Sequence, residues 1–493
     1  MYNGYQNGNY NYERGAVKSL VQKALLTAQT SVGEGLIPQH LEKLITNTIV
    51  RLAPEIALIT PAFDSQKYHE FNRLTSLPTP GGMMGESAVT PTLRSTYART
   101  GRILKVIRRK GAVTNFLQDA SKNYIDAAAI EMENHVQAHV YDLVTLLQYG
   151  NDVADPQQFP GLDTLIATNR VNQSVGGVVP GDLSFLDDMI DQSLIRQGAS
   201  HRRAFLMSPQ MLSKVSRLLT NVRVNQGLTG GGLSEIEIPG GWRLAAYRDI
   251  PIISSTQMRP SYTGSAVTFA TSGTSSGLGG STTLYFRISF VDWYGESLAG
   301  AENTQAITTA DTITVTITTP ATTAFLYKVY IGNTASGGAN SEKLKLVLPA
   351  QLYDANLTPA DRVTSFQLST NPVTANPTVA QINGTAAGGT ATGGGIVPTG
   401  LTGTVPTAMQ NDLPLVATGG VPPERVAFWD LDEIQGLGKF AYTNAAGSRF
   451  NGLVSMEPLA KTDDNLPFLI KTYGTLVDSW EATSYLNIGL RVA

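Results

Sequence analysis

Residues 101–113, with the sequence GRILKVIRRKGAV, set five cations among strand-forming aliphatic side chains. The cations are Arg102, Lys105, Arg108, Arg109 and Lys110. A cationic strand can bind the phosphates of a nucleic acid or the carboxylates of another protein. The segment lacks the interleaved aromatic side chains of a single-strand platform and follows no duplex-reading motif. Protein is therefore the favoured partner.

Opposite charges accumulate in two adjacent stretches. Residues 63–113 hold nine cations and three anions, a net charge of +6, whereas residues 119–155 hold one cation and seven anions, a net charge of −6. Exposed ion pairs stabilise by only about 0.2–1 kcal/mol each, so they would set orientation while buried apolar area supplies affinity. We expect the five cations to contact a neighbouring copy of the chain at Asp126, Glu131 and Glu133. A solvated basic strand explains the charge equally well.

His135 and His139 lie four residues apart, a spacing that can hold zinc from one face of a helix. The metalloprotease pattern requires Glu directly after the first His, and Val136 stands there. Because two ligands alone rarely hold a metal ion, we interpret both residues as helix-surface histidines.

Patterns of catalytic or cofactor chemistry are otherwise missing. The Gly-rich stretches GLTGGGLSEI and ATGGGIV lack the Gly-Lys-Ser/Thr ending that binds phosphate and magnesium. The sequence contains no Gly-x-Ser-x-Gly nucleophile elbow and no cysteine. We therefore expect no enzyme activity, no catalytic residue, no cofactor and no metal.

Composition points to an assembly of several packing units. A length of 493 residues suggests about three such units. Charged residues make up 15% of the chain, against about 25% in ordinary globular proteins, as expected of a large subunit interface or of a low-charge β domain. The absence of cysteine excludes a disulfide-stapled secreted fold, and no signal peptide or membrane-spanning apolar run is evident. We expect a soluble, unsecreted protein.

The first half of the chain predicts a tail, a long loop, a strut helix and an α/β lobe. Residues 1–15 are rich in Tyr, Asn and Gly, and helices are predicted at 16–29 and before Pro54. Two strand-like arms joined by a Pro/Gly-rich tip occupy 63–113. Apolar residues at helical spacing predict one helix over 119–149. Between 182 and 257 helices alternate with strands, with Ser208 as an N-cap before Pro209.

The second half contains an abrupt change of composition. From Pro260 to Ile382 the chain is rich in Thr, Ser, Gly and β-branched residues, and short apolar runs separated by turn residues predict an all-β sandwich. Residues 383–420 are rich in Gly, Thr and Pro and predict an extended connection. Mixed composition resumes at 421–493, so the sandwich appears as an insertion into the first domain.

This order of parts resembles the major capsid proteins of tailed bacteriophages, which have the Hong Kong 97-type (HK97-like) shell fold. The resemblance covers residues 30–257 and 421–493 and includes the stretches FPGLDTLI, GGWRLAAYRDIPIISS and LPFLIKTYGTLVDSWEATSYLNIGL. It implies an α+β capsid core that carries an immunoglobulin-like insertion domain. Met1 and its short tail lead us to expect no long scaffold segment before the arm.

The resemblance also implies a domain plan. Its parts are an N-terminal arm (1–35), a first part of the capsid core (36–259), an immunoglobulin-like insert (260–382), a connection (383–420) and the return of the core (421–493). Within the core the plan assigns an extended loop (63–113), a spine helix (119–149) flanked by the peripheral domain, and an axial domain (182–257). In this family the extended loop reaches across a neighbouring subunit, which agrees with the opposite charges described above.

The implied function is a structural one. The chain would self-assemble, as hexamers and pentamers, into the icosahedral head shell of a tailed bacteriophage, enclosing double-stranded DNA without sequence-specific binding and without a membrane. Scaffold, portal and decoration proteins are candidate partners, with assembly in the host cytoplasm and final localisation in the virion. The alternative is a cell-surface or extracellular adhesion protein built around the β-sandwich, against which the missing secretion signal counts. We also expect shells to form without residues 260–382.

Overall fold

The computed structural model describes residues 55–56, 59, 68–78, 92–121, 126–155, 157–172, 178–196, 202–225, 234–238, 242–255, 258, 268–275, 282–307, 310–318, 324–333, 342–350, 362–368, 379–385, 424–436, 442–443, 449–450, 455–459 and 464–492. The predicted tail and N-terminal helices, most of the loop tip and the connection after residue 385 lie outside these ranges. The described residues of a smaller compact unit come from Ile107–Val140 and Gly452–Thr472. Those of a larger unit come from Ala53–Val106, Tyr141–Asn451 and Tyr473–Ala493.

The described elements form a mixed α+β fold with many strands. The helices are α1 (Asn115–Ser121), α2 (Ala127–Tyr149), α3 (Leu162–Leu165), α4 (Ser184–Ile195) and α5 (Pro209–Asn225), with a 3-10 helix at Glu481–Thr483. The strands before the insertion are β1 (Tyr68–Ser76), β2 (Thr96–Ile103), β3 (Lys105–Thr114), β4 (Arg170–Asn172), β5 (Arg203–Met207), β6 (Ser234–Ile238), β7 (Trp242–Tyr247) and β8 (Ile250–Ser254). Those of the insertion are β9 (Phe269–Ser275), β10 (Thr282–Asp292), β11 (Gly295–Glu296), β12 (Asn303–Ile307), β13 (Ala310–Ile317), β14 (Leu326–Gly332), β15 (Lys343–Pro349), β16 (Arg362–Leu368) and β17 (Val379–Thr385). Those after it are β18 (Glu424–Asp430), β19 (Ile434–Gly436), β20 (Tyr442–Thr443), β21 (Arg449–Phe450), β22 (Ser455–Pro458), β23 (Asn465–Gly474), β24 (Leu476–Asp478) and β25 (Tyr485–Leu490).

The predicted two-armed loop consists of two separate parts. Strands β1 and β2 form an antiparallel hairpin, here called the arm, in which Tyr68 pairs with Ile103. Strand β3 does not continue the arm, because it joins β22 and β23 in a three-stranded sheet in the order β22–β23–β3. Gly111 of β3 lies directly against the ring of Phe468 and Val113 is buried, so packing against β23 explains the switch. The prediction of one loop over 63–113 was wrong in this respect.

The predicted helix over 119–149 is also divided. Helix α2 begins only at Ala127, where the Asp126 carboxylate accepts the N–H of Ala129 at 3.1 Å and Gln118 Oε1 accepts the N–H of Ala128 at 2.9 Å. These side chains satisfy first-turn donors that a longer helix would have bonded internally. At 1.5 Å per residue α2 spans about 34 Å. Of the apolar residues whose spacing predicts this helix, Val136, Val140, Leu143 and Leu147 are buried, whereas Ala129 is exposed.

A seven-stranded sheet forms the α/β lobe, in the order β4–β25–β18–β5–β8–β7–β6. Strands β5 and β8 are parallel, while β18, from the far side of the insertion, pairs antiparallel with β5. Because β5 is interior to the sheet, four of its five residues are buried. Helices α4 and α5 contribute to the same core, which includes Leu186, Met189, Phe205, Met211, Val215, Ile252 and Phe428.

Local sequence signals predict several features of this lobe. Ser208 caps α5 as predicted, since its Oγ accepts the N–H of Met211 at 3.0 Å. The stretch WRLAAYRDIPIISS is in strands, as predicted, and forms the hairpin of β7 and β8. Its two central residues, Arg248 and Asp249, have φ of 49° and 62°, which matches the tight turn that joins antiparallel strands.

The insertion folds as two antiparallel sheets that share one core. One sheet has the order β11–β10–β14–β15, with β12 also paired to β10, and the other has the order β17–β16–β13–β9. Side chains from both sheets form a single buried cluster that includes Phe286, Ile288, Val315, Val329, Leu346 and Phe366. The sandwich ends later than predicted, because Thr385 at the end of β17 still pairs with Arg362. Among the described helices none has the length and apolar character needed to cross a membrane.

Candidate assembly interface

The arm exposes large apolar side chains. Tyr97 is 71% exposed and Leu77 70% exposed, and Tyr68 and Ile103 also face solvent. The Tyr68 ring lies across Gly101, where any side chain would clash with it. Arg99 binds Glu70 of the opposite strand at 3.2 Å, so the arm is held together by its own cross-strand contacts. A two-stranded hairpin buries too little surface to be stable by itself in water, and this one offers apolar area for a partner.

The arm is bound to its own chain at its base, through Arg102, and nearer its tip, through Arg73. Arg102 Nη1 lies 3.3 Å from Asp152 Oδ2, and the guanidinium of Arg73 lies 5.6 Å from the ring centroid of Trp480. A cavity of about 90 Å³ separates this base from the end of β24 and is lined by Phe71, Arg73, Thr100, Arg102, Leu165, Asp478 and Glu481. Burial, with the nearby carboxylates of Glu481 and Glu433, raises the pKa of Asp478 to about 7.

Lys105 also acts within its own chain. Burial raises the pKa of Asp155, and the charge of Lys105 is among the groups that oppose this rise. Asp152 and Asp155 were both counted in the acidic segment that a neighbour was expected to contact. Part of the opposite charge seen in the sequence is therefore balanced inside one molecule.

The remaining cations lie on the two faces of β3. Arg108 and Lys110 are exposed, and no ion pair involves either of them within the described ranges. Arg109 is on the other face, where its charge reinforces burial in lowering the pKa of His139 to about 3. Strand alternation thus separates Arg109 from its two neighbours.

The three acids of the predicted contact also divide into two that are bonded within the chain and one that faces outward. Asp126 is the N-cap of α2 and also accepts a hydrogen bond from Gln118 Nε2 at 2.9 Å. Glu131 lies 3.1 Å from His135. Glu133 is exposed and has no bonded partner in the part of the chain that the structure describes. Outward-facing charge is therefore concentrated at Arg108, Lys110 and Glu133.

The histidine pair does not lie on the helix surface as predicted. His139 is fully buried, with Nε2 2.8 Å from the Oγ1 of Thr472 on β23. His135 is half-buried and packs edge-on against Phe468 at a centroid distance of 5.3 Å. Both contacts fasten α2 to β23 within the smaller unit. Within the described residues no cluster of three or more His, Asp or Glu side chains could hold a metal ion.

The smaller unit exposes three large apolar side chains that the sequence patterns did not single out. Phe116 is 79% exposed and Leu117 is 52% exposed on the short helix α1, and Ile130 is exposed on the first turns of α2. The signal was present in the sequence, since NFLQDAS sets two large apolar residues in an otherwise polar turn of helix. Both units thus expose large apolar side chains, which a contact with another protein could bury.

Comparisons with known proteins give only a distant likeness. No protein-family model matches the chain, and no curated protein sequence matches it. Among solved structures the chain is similar to the holo-SrpI encapsulin complex from Synechococcus elongatus, with 9% identity, a TM-score of 0.39 and coverage of 90% of this chain and 89% of the other. It is also similar to the capsid of a native GTA particle (7% identity, TM-score 0.38, coverage 90% and 89%) and to a structure from Gordonia phage Cozz (9% identity, TM-score 0.38, coverage 88% and 85%). TM-scores below 0.5 do not establish a shared fold.

Proposed function

We propose that this chain is a shell-forming structural protein that assembles with many copies of itself. The finer proposal is an HK97-like major capsid protein, which builds the icosahedral head shell of a tailed bacteriophage around double-stranded DNA. The observation that carries the proposal is the arm, a two-stranded element whose base is fastened to its own chain and whose apolar side chains remain exposed. The order of elements along the sequence supports the same function.

The exposed surfaces favour a second copy of the chain as the partner of the arm. Within the described residues the arm is a sheet of only two strands, so the outer edge of each strand has no strand partner there. The smaller unit offers a separate apolar area at Phe116, Leu117 and Ile130. A molecule with two such areas can contact two neighbours at once, which an extended lattice requires. The low charged fraction of 15% agrees with extensive subunit contacts, and the low-charge sandwich contributes to the same figure.

The proposed contact set keeps the eight residues inferred from sequence but divides their roles. Arg108, Lys110 and Glu133 are the members with outward-facing charge and are the best candidates for ion pairs between copies. The others are Arg102, Lys105, Arg109, Asp126 and Glu131. In the proposal these five position the arm, β3 and α2, because each has an interaction within its own chain.

Further parts of the proposal follow from the capsid assignment. The copies would form hexamers and pentamers, with scaffold, portal and decoration proteins as additional partners and the virion as the final location. The sandwich would be an immunoglobulin-like domain of the shell. DNA would be enclosed without sequence-specific contacts.

Charge reversal on β3 tests the proposal. The Arg108→Glu/Lys110→Glu double variant should stay folded, since both side chains are exposed, but should fail to form particles under conditions in which the unaltered protein forms them. The matched control is Arg217→Glu/Lys343→Glu, which makes the same change of charge at exposed cations of α5 and β15 and should still assemble. Sedimentation velocity measures particle formation and circular dichroism measures folding. Normal particles from the β3 variant would contradict the proposed contact, and absence of particles from every protein would favour the adhesion alternative.

A further inference from the structure

Five buried charged side chains lie at the junction of the sandwich and the α/β lobe. Lys328 of β14 places its Nζ 2.8 Å from Asp163 Oδ2 of α3 and 2.9 Å from Glu296 Oε2 of β11. Asp163 Oδ1 also lies 2.9 Å from Nη2 of Arg425 on β18 and 3.0 Å from Nη2 of Arg170 on β4. Two members come from the sandwich and three from the lobe. We call these five residues the charge lock.

The charge lock is almost fully shielded from water. Its side chains are 2–10% exposed. Burial alone would raise the pKa of Asp163, yet the cations of Arg425, Lys328 and Arg170 outweigh burial and hold this pKa well below its usual range. Burial alone would lower the pKa of Lys328, and the carboxylates of Asp163 and Glu296 instead raise it. The Lys328–Asp163 pair crosses the junction, whereas the Lys328–Glu296 pair lies within the sandwich and both arginines pair with Asp163 on the lobe side.

Two tyrosines complete the surroundings of the charge lock. The Tyr149 ring, at the end of α2, lies 4.5 Å from the guanidinium of Arg425 and 5.1 Å from Lys328 Nζ. The hydroxyl of Tyr330 on β14 donates to Glu296. Aromatic faces stabilise desolvated cations, so the rings offset part of the cost of burying them.

Apolar and polar contacts extend the same junction. Tyr149 and Ala154 share a buried cluster with side chains of the sandwich, namely Val291, Leu326, Tyr330, Leu344 and Val347. At the turn between β10 and β11, Trp293 donates its indole N–H to Asp142 Oδ1 at 2.7 Å and stacks on Tyr141 at a centroid distance of 6.1 Å. The sandwich thus packs against the C-terminal half of α2 as well as against the lobe.

We infer that the inserted sandwich and the α/β lobe form one cooperative folding body, joined by the charge lock, and that the sandwich braces the C-terminal half of α2. Detaching the sandwich would break the Lys328–Asp163 pair, part Lys328 from the Tyr149 ring and expose the apolar cluster that Tyr149 and Ala154 share with the sandwich. The sandwich therefore cannot detach at low cost. The sequence alone predicts that shells still form without residues 260–382. A sandwich joined to the lobe predicts instead that this deletion yields insoluble protein.

Native-state hydrogen exchange of the full-length chain tests this inference independently of assembly. In the unaltered protein the amides of β14 and β18 should exchange through a shared opening with the same denaturant dependence. In Asp163→Asn, protection of both strands should fall together by on the order of a hundredfold or more, because three cations then face one carboxylate. The matched control Asp187→Asn removes a partly exposed pair with Arg248 but keeps an oxygen that can accept from the Tyr247 hydroxyl, so protection should change by less than about threefold.

A milder variant keeps the test decisive where Asp163→Asn does not fold. Tyr330→Phe removes only the hydroxyl that donates to Glu296, and it should lower protection of β14 and β18 by the same factor, on the order of tenfold. Loss of protection confined to one of these strands, or separate openings of β14 and β18 in the unaltered protein, would overturn the inference. Neither result bears on whether the chain forms shells.

Discussion

Glu55 makes the stability of the larger unit depend on pH in a direction that can be worked out from the structure. Its side chain is 1% exposed, and Ser255 Oγ donates to one carboxyl oxygen at 2.9 Å, while the other oxygen has no bonded partner among the described residues. Burial, only partly opposed by its hydrogen bonds, raises the pKa of Glu55 from 4.5 to about 7. The folded protein therefore retains this proton more strongly than the unfolded chain does.

The magnitude follows from the two pKa values. Because the folded value is the higher one, the stabilisation is fully present below pH 4.5 and is lost as the pH rises through about 7. A difference of about 2.5 between the two values corresponds to about 3 kcal/mol of unfolding free energy. Glu55→Gln keeps the shape and the acceptor for Ser255 but cannot ionise. We expect the free energy of unfolding of this variant, relative to the unaltered protein, to rise by about 3 kcal/mol between pH 4.5 and pH 8.

Urea unfolding at pH 4.5, 6, 7 and 8 measures this difference. Asp478 has a pKa raised in the same direction, but it is present in both proteins and therefore cancels in the comparison. Ser255→Ala is a useful second variant, because it removes the hydroxyl that bonds Glu55 and should increase the pH dependence. Parallel pH profiles for Glu55→Gln and the unaltered protein would refute the reasoning.

Two further predictions concern single side chains. His139→Gln keeps a hydrogen bond to Thr472 but removes a group whose pKa is lowered from 6.5 to about 3. The unaltered protein should therefore lose stability as the pH falls below 6.5, and the variant should lose less. Thermal unfolding between pH 7 and pH 4 measures the difference. Equal acid sensitivity of the two proteins would contradict this. Ser208→Ala removes the N-cap of α5 and the hydroxyl that donates to Glu424, so chemical denaturation should show a loss of at least about 1 kcal/mol, and an unchanged midpoint would show that the cap contributes nothing.

Local structure was predictable where a short stretch contains its own signal. A few adjacent residues predict the N-cap at Ser208 and strand β5, and β-branched runs separated by turn residues predict the strands of the insertion. The start of α2 shows how one signal can mask another. Asp126 before three alanines is an N-cap signal, but apolar residues spaced at helical intervals on both sides of it favoured one longer helix.

Long-range pairing could not be predicted from one chain. The basic segment 101–113 reads as a continuous ribbon, yet β3 pairs with β23, more than 350 residues later, which turns Arg109 inward and leaves Arg108 and Lys110 outside. The charge lock is a stronger case. Asp163 and Lys328 lie in segments assigned to different domains, and no local pattern relates them. Such residues come together only in the folded chain. Which of the predicted contact residues have outward-facing charge therefore became clear only from the structure.

Self-assembly is the central claim, and the mass of the particles formed by the purified full-length chain tests it most directly. Light scattering combined with negative-stain imaging should reveal closed particles many times larger than the 52.6 kDa monomer. A monodisperse monomer that persists at high protein concentration, across the range of salt and pH in which the chain stays folded, would contradict it.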